Sequence, residues 1–240
     1  MTKSRRKICN SGFTVVELLI TVGIVAVLAA LVMTVARPIS DKAAFAACTS
    51  NLRQIGAGMA MYAGENNGEL PYSDKTEHLP DWSSNSIYDR DIQDWRSLGR
   101  TYQYLPAKKV FYCRKVSVFG DHHTVNWDPT PAQSLWGSYT MRGYNQSYVQ
   151  PGTVKLGSWA GRAIVSCFFM NSPNFGVSQK PKVSYHDGRF PVLFGDGSVQ
   201  TCRMPDVIDI QGKQPIWEST ALQFQIWDSF DKQRKTDQTD

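Results

Sequence analysis

From Phe13 to Ala36 the chain reads FTVVELLITVGIVAVLAALVMTVA, 24 residues with a single charge at Glu17. About 20 apolar helical residues suffice to cross a hydrocarbon core ~30 Å thick, so this segment is predicted to be a transmembrane helix. Lys3, Arg5, Arg6 and Lys7 precede it, and no positive charge follows until Arg37. That asymmetry predicts a cytoplasmic N-terminus and an exported C-terminal bulk. An ordinary secretory signal has a shorter apolar region followed by a small-residue cleavage site. Here the small residue, Gly12, comes first, so a cut behind it leaves the hydrophobic helix on the mature chain. Glu17 needs its own explanation, because a carboxylate inside a membrane helix costs roughly 2.5–3.5 kcal/mol on insertion scales and persists where it has a partner or a function.

A chain of 240 residues has room for one ordinary domain beside such an appendage. Four of the five net positive charges sit in the first twelve residues, so the basic balance predicts no nucleic-acid partner. Cysteines stand at 9, 48, 113, 167 and 202, without a C-x-x-C pair or close Cys/His spacing. This pattern argues against a structural zinc. Cys9 falls in the basic leader. Beyond a bacterial inner membrane, Cys48, Cys113, Cys167 and Cys202 are candidates for two disulfides, with three pairings open.

After Arg37-Pro38, apolar residues recur as Phe45, Cys48, Leu52, Ile55, Met59 and Tyr62, at spacings of three and four. That is a helical stripe, expected to pack as core. Pro38 predicts a kink or a restart, and Asn66-Asn67-Gly68 a C-terminal stop. A continuous helix over 13–64 is a rod of ~78 Å.

Residues 72–109 and 120–136 read as irregular. Ala163 to Met170 is apolar and β-branched enough for a buried strand, and Phe190–Phe194 and Ser198–Met204 flank Gly195-Asp196-Gly197 as a hairpin. An antiparallel sheet packed on the helix is expected. The tail from Pro215 to Phe230, with Ile216, Trp217, Leu222, Ile226, Trp227 and Phe230, reads as a short amphipathic helix or a docking segment.

The residues SGFTVVELL, Ser11 to Leu19, resemble the processing site of type IV prepilins and type II secretion pseudopilins. The resemblance implies a cut between Gly12 and Phe13 by a prepilin peptidase, N-methylation of Phe13, and a role for Glu17 in assembly. One subunit's buried carboxylate can pair with the cationic N-terminus of its neighbour and set axial register in a filament. A second resemblance lies in HDGRFPVLFGDG, where His186 is followed by nine residues and then Asp196-Gly197. It is similar to the H-x9-DG motif of a group of prepilin-like proteins, as is the stretch from Asn51 to Pro71 to that group's junction of helix and head. The likeness covers about the first 70 residues and the hairpin, and it brings a fold and a processing route but no chemistry for the motif.

Two readings of the motif remain open. In one, His186 caps or crosses the hairpin, Asp196 supports the turn and Gly197 takes a positive φ. In the other, Asp187, Asp196, Asp206 or Asp209 holds calcium, as related pseudopilins often do, although the dense spacing of a dedicated calcium loop is missing. Only four histidines occur, His78, His122, His123 and His186, without H-E-x-x-H, G-x-S-x-G or a phosphate loop, so no enzymatic activity and no cofactor are expected. The rival class is a binding module displaying Trp82, Trp95, Trp127, Trp136 and Trp159 to polysaccharide or a partner protein.

Taken together, the expectation is an α+β pilin-like chain. It comprises a basic leader (1–12), a transmembrane and assembly helix (13–36), its amphipathic continuation (37–64) and a globular head (65–240). The implied partners are a prepilin peptidase, other pilin or pseudopilin subunits, and the inner membrane, with the head in the periplasm or on an extracellular filament.

Overall fold

The structure, a computed structural model, describes residues 13–71, 85–91, 93–105, 107–113, 127, 131–142, 155–167, 186, 189–203 and 220–237. The leader, Trp82, His78, His122, His123, Asp187, Asp206 and Asp209 lie outside the described residues. It is an α+β chain with an apolar N-terminal helix and antiparallel sheets.

Helix α1 runs from Val15 to Glu65 as one element, so Pro38 does not restart it. A proline removes one backbone donor, a loss that a 51-residue helix accommodates. By contacts the chain divides into two compact units, Met1–Ala43 and Ala44–Asp240. In the first unit, the 19 residues Val15–Met33 are long and apolar enough to cross a membrane, and none is buried. The second unit begins at Ala44, and the stripe of α1 is part of its core. Ala44, Cys48, Leu52, Ile55, Met59 and Ala63 are all buried, at the three-and-four spacing that places them on one face.

The expected stop is present. Asn67 has φ +54°, and the amide of Gly68 donates to the Ala63 carbonyl at 2.7 Å, the bond that closes a left-handed helix terminus. The Asn66 side chain adds a bond to the Tyr62 carbonyl at 2.8 Å.

Among the described residues two sheets form where one was expected. Strands β1 (Ser86–Asp89), β2 (Asp94–Trp95) and β3 (Leu135–Trp136) pair in the order β2-β1-β3. Strands β4 (Tyr139–Met141), β5 (Ala163–Cys167), β6 (Arg189–Phe194) and β7 (Val199–Arg203) pair in the order β4-β5-β6-β7. All the pairings are antiparallel. The smaller sheet falls in stretches read as irregular. Its strands have only two to four residues, and β1 buries Ser86, Ile87 and Tyr88 in succession, leaving no alternation to read. A 3₁₀ segment, Ser97–Tyr104, follows β2 and lies so close to β1 that a Cβ on Gly99 would stand 1.9 Å from the Ile87 carbonyl oxygen. Glycine is the residue that permits this approach.

The tail forms helix α2 (Thr220–Asp237), which buries Ile226, Trp227 and Phe230. Polar side chains fasten it. Arg142, itself 3% exposed, reaches from the end of β4 to Asp228 and Asp231, each at 2.8 Å, while Asp231 also accepts from the Ala163 amide at 2.7 Å. Gln233 receives the Arg203 amide at 2.7 Å and donates to the Arg203 carbonyl at 2.8 Å, so a side chain takes the place of a strand partner on the open edge of β7.

The stripe of α1 supplies a direct check. Leu52→Ala should lower the head's unfolding free energy by about 2–5 kcal/mol, whereas Met61→Ala, at a position 53% exposed, should change it by less than ~0.5 kcal/mol. Denaturant titration of the chain in detergent, followed by tryptophan fluorescence, measures both.

Candidate functional site

Three cysteines and a histidine from four separate segments converge inside the head. Cys48 projects from the buried face of α1. Cys113 follows the short 3₁₀ segment Lys108–Phe111, Cys167 is the last residue of β5, and His186 stands just ahead of β6. Their three Sγ atoms and one imidazole nitrogen all lie within 4.8 Å of one another. Each residue is buried, at 1%, 3%, 0% and 7% exposure respectively. Cys48 Sγ is 2.6 Å from Cys113 Sγ, and Cys113 Sγ is 3.4 Å from His186 Nε2. The Phe45 ring meets the His186 imidazole edge to face at 5.3 Å and closes that side.

The electrostatics follow from burial and crowding. Hydrogen bonding to Cys113, reinforced by burial, pushes the Cys48 thiol up to about 12. Bonds to Cys113 and Cys48, again with burial, push the Cys167 thiol well above its usual value. Tyr139 sits beside them with its hydroxyl also pushed up, first by burial and then by the thiols. Asn51 Nδ2 donates to that hydroxyl at 3.1 Å. Three thiolates cannot share so dry a space without a cation. A divalent metal ion reverses that balance, because it binds the deprotonated sulfur.

This arrangement changes two expectations. Among the described residues no disulfide forms, and Cys202, buried on β7 opposite Phe190, is not part of the cluster. The lack of close Cys/His spacing, taken as an argument against zinc, concerns ligands contributed by one short loop; here Cys48 and Cys113 are 65 residues apart and Cys113 and His186 are 73 apart. No sequence signal pointed to this grouping, since nothing in the neighbourhood of any one ligand announces the other three.

The hairpin motif separates into two unconnected roles. His186 brings its side chain into the cluster. Asp196 lies beyond the far end of β6, whose six residues span ~20 Å. There it supports the turn as expected, accepting the Ser198 amide at 3.0 Å next to Gly197 at φ +84°. Its second oxygen is taken by Arg234 of α2. A carboxylate so occupied is a poor calcium ligand, and the other proposed calcium residues lie outside the described part. Burial raises the Asp196 carboxyl, but the bonds to Ser198 and the Arg234 guanidinium outweigh it, leaving the pKa below its usual 3.8.

At the other end of the chain, Glu17 is engaged within its own helix. Its Oε2 accepts the Thr14 amide at 2.9 Å and the Thr14 hydroxyl at 2.8 Å, while Thr14 Oγ1 accepts the Glu17 amide at 3.3 Å. This is a reciprocal capping box, with Thr14 as N-cap and Glu17 at the third helical position. The T-x-x-E spacing carries that signal in the sequence itself.

The aromatic residues mostly bury themselves. Trp127 and Trp159 are 0% and 2% exposed, and Trp95 and Trp136 are half-buried. Trp95 stacks on Tyr102 at 5.2 Å beside a depression of about 250 Å³, and both rings pack against Trp127. No protein-family model, curated protein or solved structure matches the chain.

The Asp196–Arg234 pair yields a pH-dependent prediction. A carboxyl whose pKa is depressed by folding stabilises the folded state above its unfolded value and loses that contribution as pH falls through the folded value. Asp196→Asn should therefore lower stability at neutral pH by about 1 kcal/mol, since the pair is partly exposed. The difference from wild type should fade as the pH drops below about 3.8. Denaturant midpoints of both proteins across that range test it.

Proposed function

We propose that the chain is a membrane-anchored, prepilin-like structural subunit, cut between Gly12 and Phe13 and assembled through its hydrophobic helix into a pilus or pseudopilus filament. One observation carries the reading: Val15–Met33 is a helix without a single buried residue, and it starts directly behind a basic leader and a glycine. An apolar helix bare on every side has two stable surroundings, lipid and the same helix of other subunits. A pilin-like subunit uses both in turn. The α+β head, with the stripe of α1 in its core, agrees with such a fold.

In this reading the positive leader holds the N-terminus in the cytoplasm and the head lies in the periplasm of the inner membrane. A prepilin peptidase and other pilin or pseudopilin subunits are the partners. Glu17 has two tasks to reconcile. Within the chain it caps α1, and once Phe13 bears a free amine the same carboxylate lies at the point where a neighbour's cationic terminus is to be neutralised. Burial of Trp127 and Trp159 weighs against the alternative of an aromatic binding surface.

Expression with and without a prepilin peptidase, followed by mass spectrometry of the mature N-terminus, tests the processing step. Methylated Phe13 is expected only with the peptidase; an intact leader, or a cut behind residue 36, refutes the proposal. Glu17→Gln separates the two tasks, because glutamine also serves in a capping box but carries no charge. The variant should be cleaved normally yet assemble poorly, as scored by sheared-filament yield; wild-type filaments would leave capping as the only role.

A further inference from the structure

We infer that Cys48, Cys113, Cys167 and His186 bind a single zinc ion that ties α1 to the four-stranded sheet. The donor set is the first argument. Three thiolates and one imidazole are among the standard ligand sets of closed, tetrahedral structural zinc, and soft sulfur with one nitrogen disfavours calcium and magnesium.

Geometry is the second. Zinc–ligand bonds of ~2.0–2.3 Å place tetrahedral ligand atoms about 3.4–3.8 Å apart. The 3.4 Å between Cys113 Sγ and His186 Nε2 falls in that range, and all four donors lie within 4.8 Å. Cys48 and Cys113, at 2.6 Å, must move apart by roughly 1 Å, and any pair near the 4.8 Å limit must close by about as much. A disulfide between these two, with its bond of about 2.05 Å, is the competing explanation of their approach. It accounts for two of the four groups. It leaves unexplained why Cys167 and His186 converge on the same buried point from the ends of two neighbouring strands.

The surroundings are the third argument. The ligands arise from four separate positions: a helix face, a residue shortly after a 3₁₀ turn, a strand end and the approach to β6. The Tyr139 hydroxyl, held by Asn51, sits beside the thiols, where it can supply the kind of outer hydrogen bond that steadies a metal-bound thiolate. Loading balances simply. Zinc displaces three thiol protons to solvent and binds the neutral imidazole, leaving a site of net charge −1. No oxidant or reductant is involved.

The role that follows is structural and protective. The ion joins segments that are far apart in sequence, and it keeps the three cysteines from being oxidised in a compartment that favours disulfides. It also gives the histidine of the H-x9-DG hairpin a task separate from that of its aspartate. The protective role rests on the proposed export of the head, whereas metal binding itself does not depend on whether the chain is exported or forms filaments.

The test is metal analysis of the full-length chain, purified in detergent without chelators. About one zinc per chain is expected by elemental mass spectrometry, unchanged in Cys202→Ser and reduced about tenfold or more in Cys167→Ser and His186→Ala. Because losing a ligand can unfold the head, two further readouts use folded protein. Replacement of zinc by Co²⁺ in the wild type should give a thiolate-to-cobalt charge-transfer band and the visible bands of a tetrahedral site. His186→Cys should retain the metal with a stronger charge-transfer band. The inference is overturned if folded chain contains no metal and takes up neither Zn²⁺ nor Co²⁺, or if its non-reduced peptide map shows Cys48 joined to Cys113. Iron or copper in the purified protein would overturn the assignment to zinc.

Discussion

The head depends on burial of one face of α1. Leu52, Ile55 and Met59 are inaccessible to solvent, and the α1 backbone at Gly56 approaches β6 so closely that a Cβ there would stand 2.9 Å from a Leu193 methyl. Leu193 of β6 packs on it at Gly56, Thr101 and Leu105 pack on it at Gly58, and α2 lies against β5 and β7. The larger sheet lays β5 and β6 in its middle, where Ala163, Val165, Val192 and Leu193 have no exposed surface. Apolar area withdrawn from water is the main favourable term for such a core, and a helix with a single apolar stripe needs a sheet to complete it.

The helix supplies that stripe and also a segment with the opposite requirement. From Val15 to Met33 its whole circumference is apolar, which suits lipid or a bundle of like helices and is costly in water. From Ala44 onward one face is buried, and Ser50, Arg53 and Glu65 stand exposed away from it. The proposed subunit uses this change of character along one helix: the first part answers to the membrane and the filament, the second to the head. A reciprocal capping box at Thr14 and Glu17 opens the helix, and a left-handed turn at Asn67 closes it.

Polar interactions then decide which surfaces meet. Arg142 lies between Trp159 and Trp227, with ring centroids 5.3 and 6.0 Å from its guanidinium carbon, and it satisfies its charge on Asp228 and Asp231. Arg234 performs the same service from α2, donating to the Ala160 carbonyl at 2.8 Å and pairing with Asp196 in the hairpin turn. A buried guanidinium is costly unless its donors are met, so these contacts select one seating for α2. The cluster of Cys48, Cys113, Cys167 and His186 makes an equivalent demand on the opposite end of β6, and a zinc ion would satisfy it.

What the sequence by itself determined is local. The apolar run, the stripe from Phe45 to Tyr62, the stop at Asn66-Asn67-Gly68 and the hairpin around Gly195-Asp196-Gly197 are each written within a few turns or a few strand residues, where helical or alternating periodicity is set by neighbours. The T-x-x-E cap is local in the same way, although reading Glu17 toward a neighbouring subunit misses it. Only the tertiary structure decided the rest. Strands of two residues such as Asp94–Trp95 carry no period, and their pairing comes from the surfaces that enclose them. Which cysteines meet, and that His186 joins them while Asp196 turns to Arg234, depends on groups 65 and 73 residues apart being brought together by burial of a common core. Spacing along the chain holds no record of that encounter, because the packing of the helix on the sheet creates it.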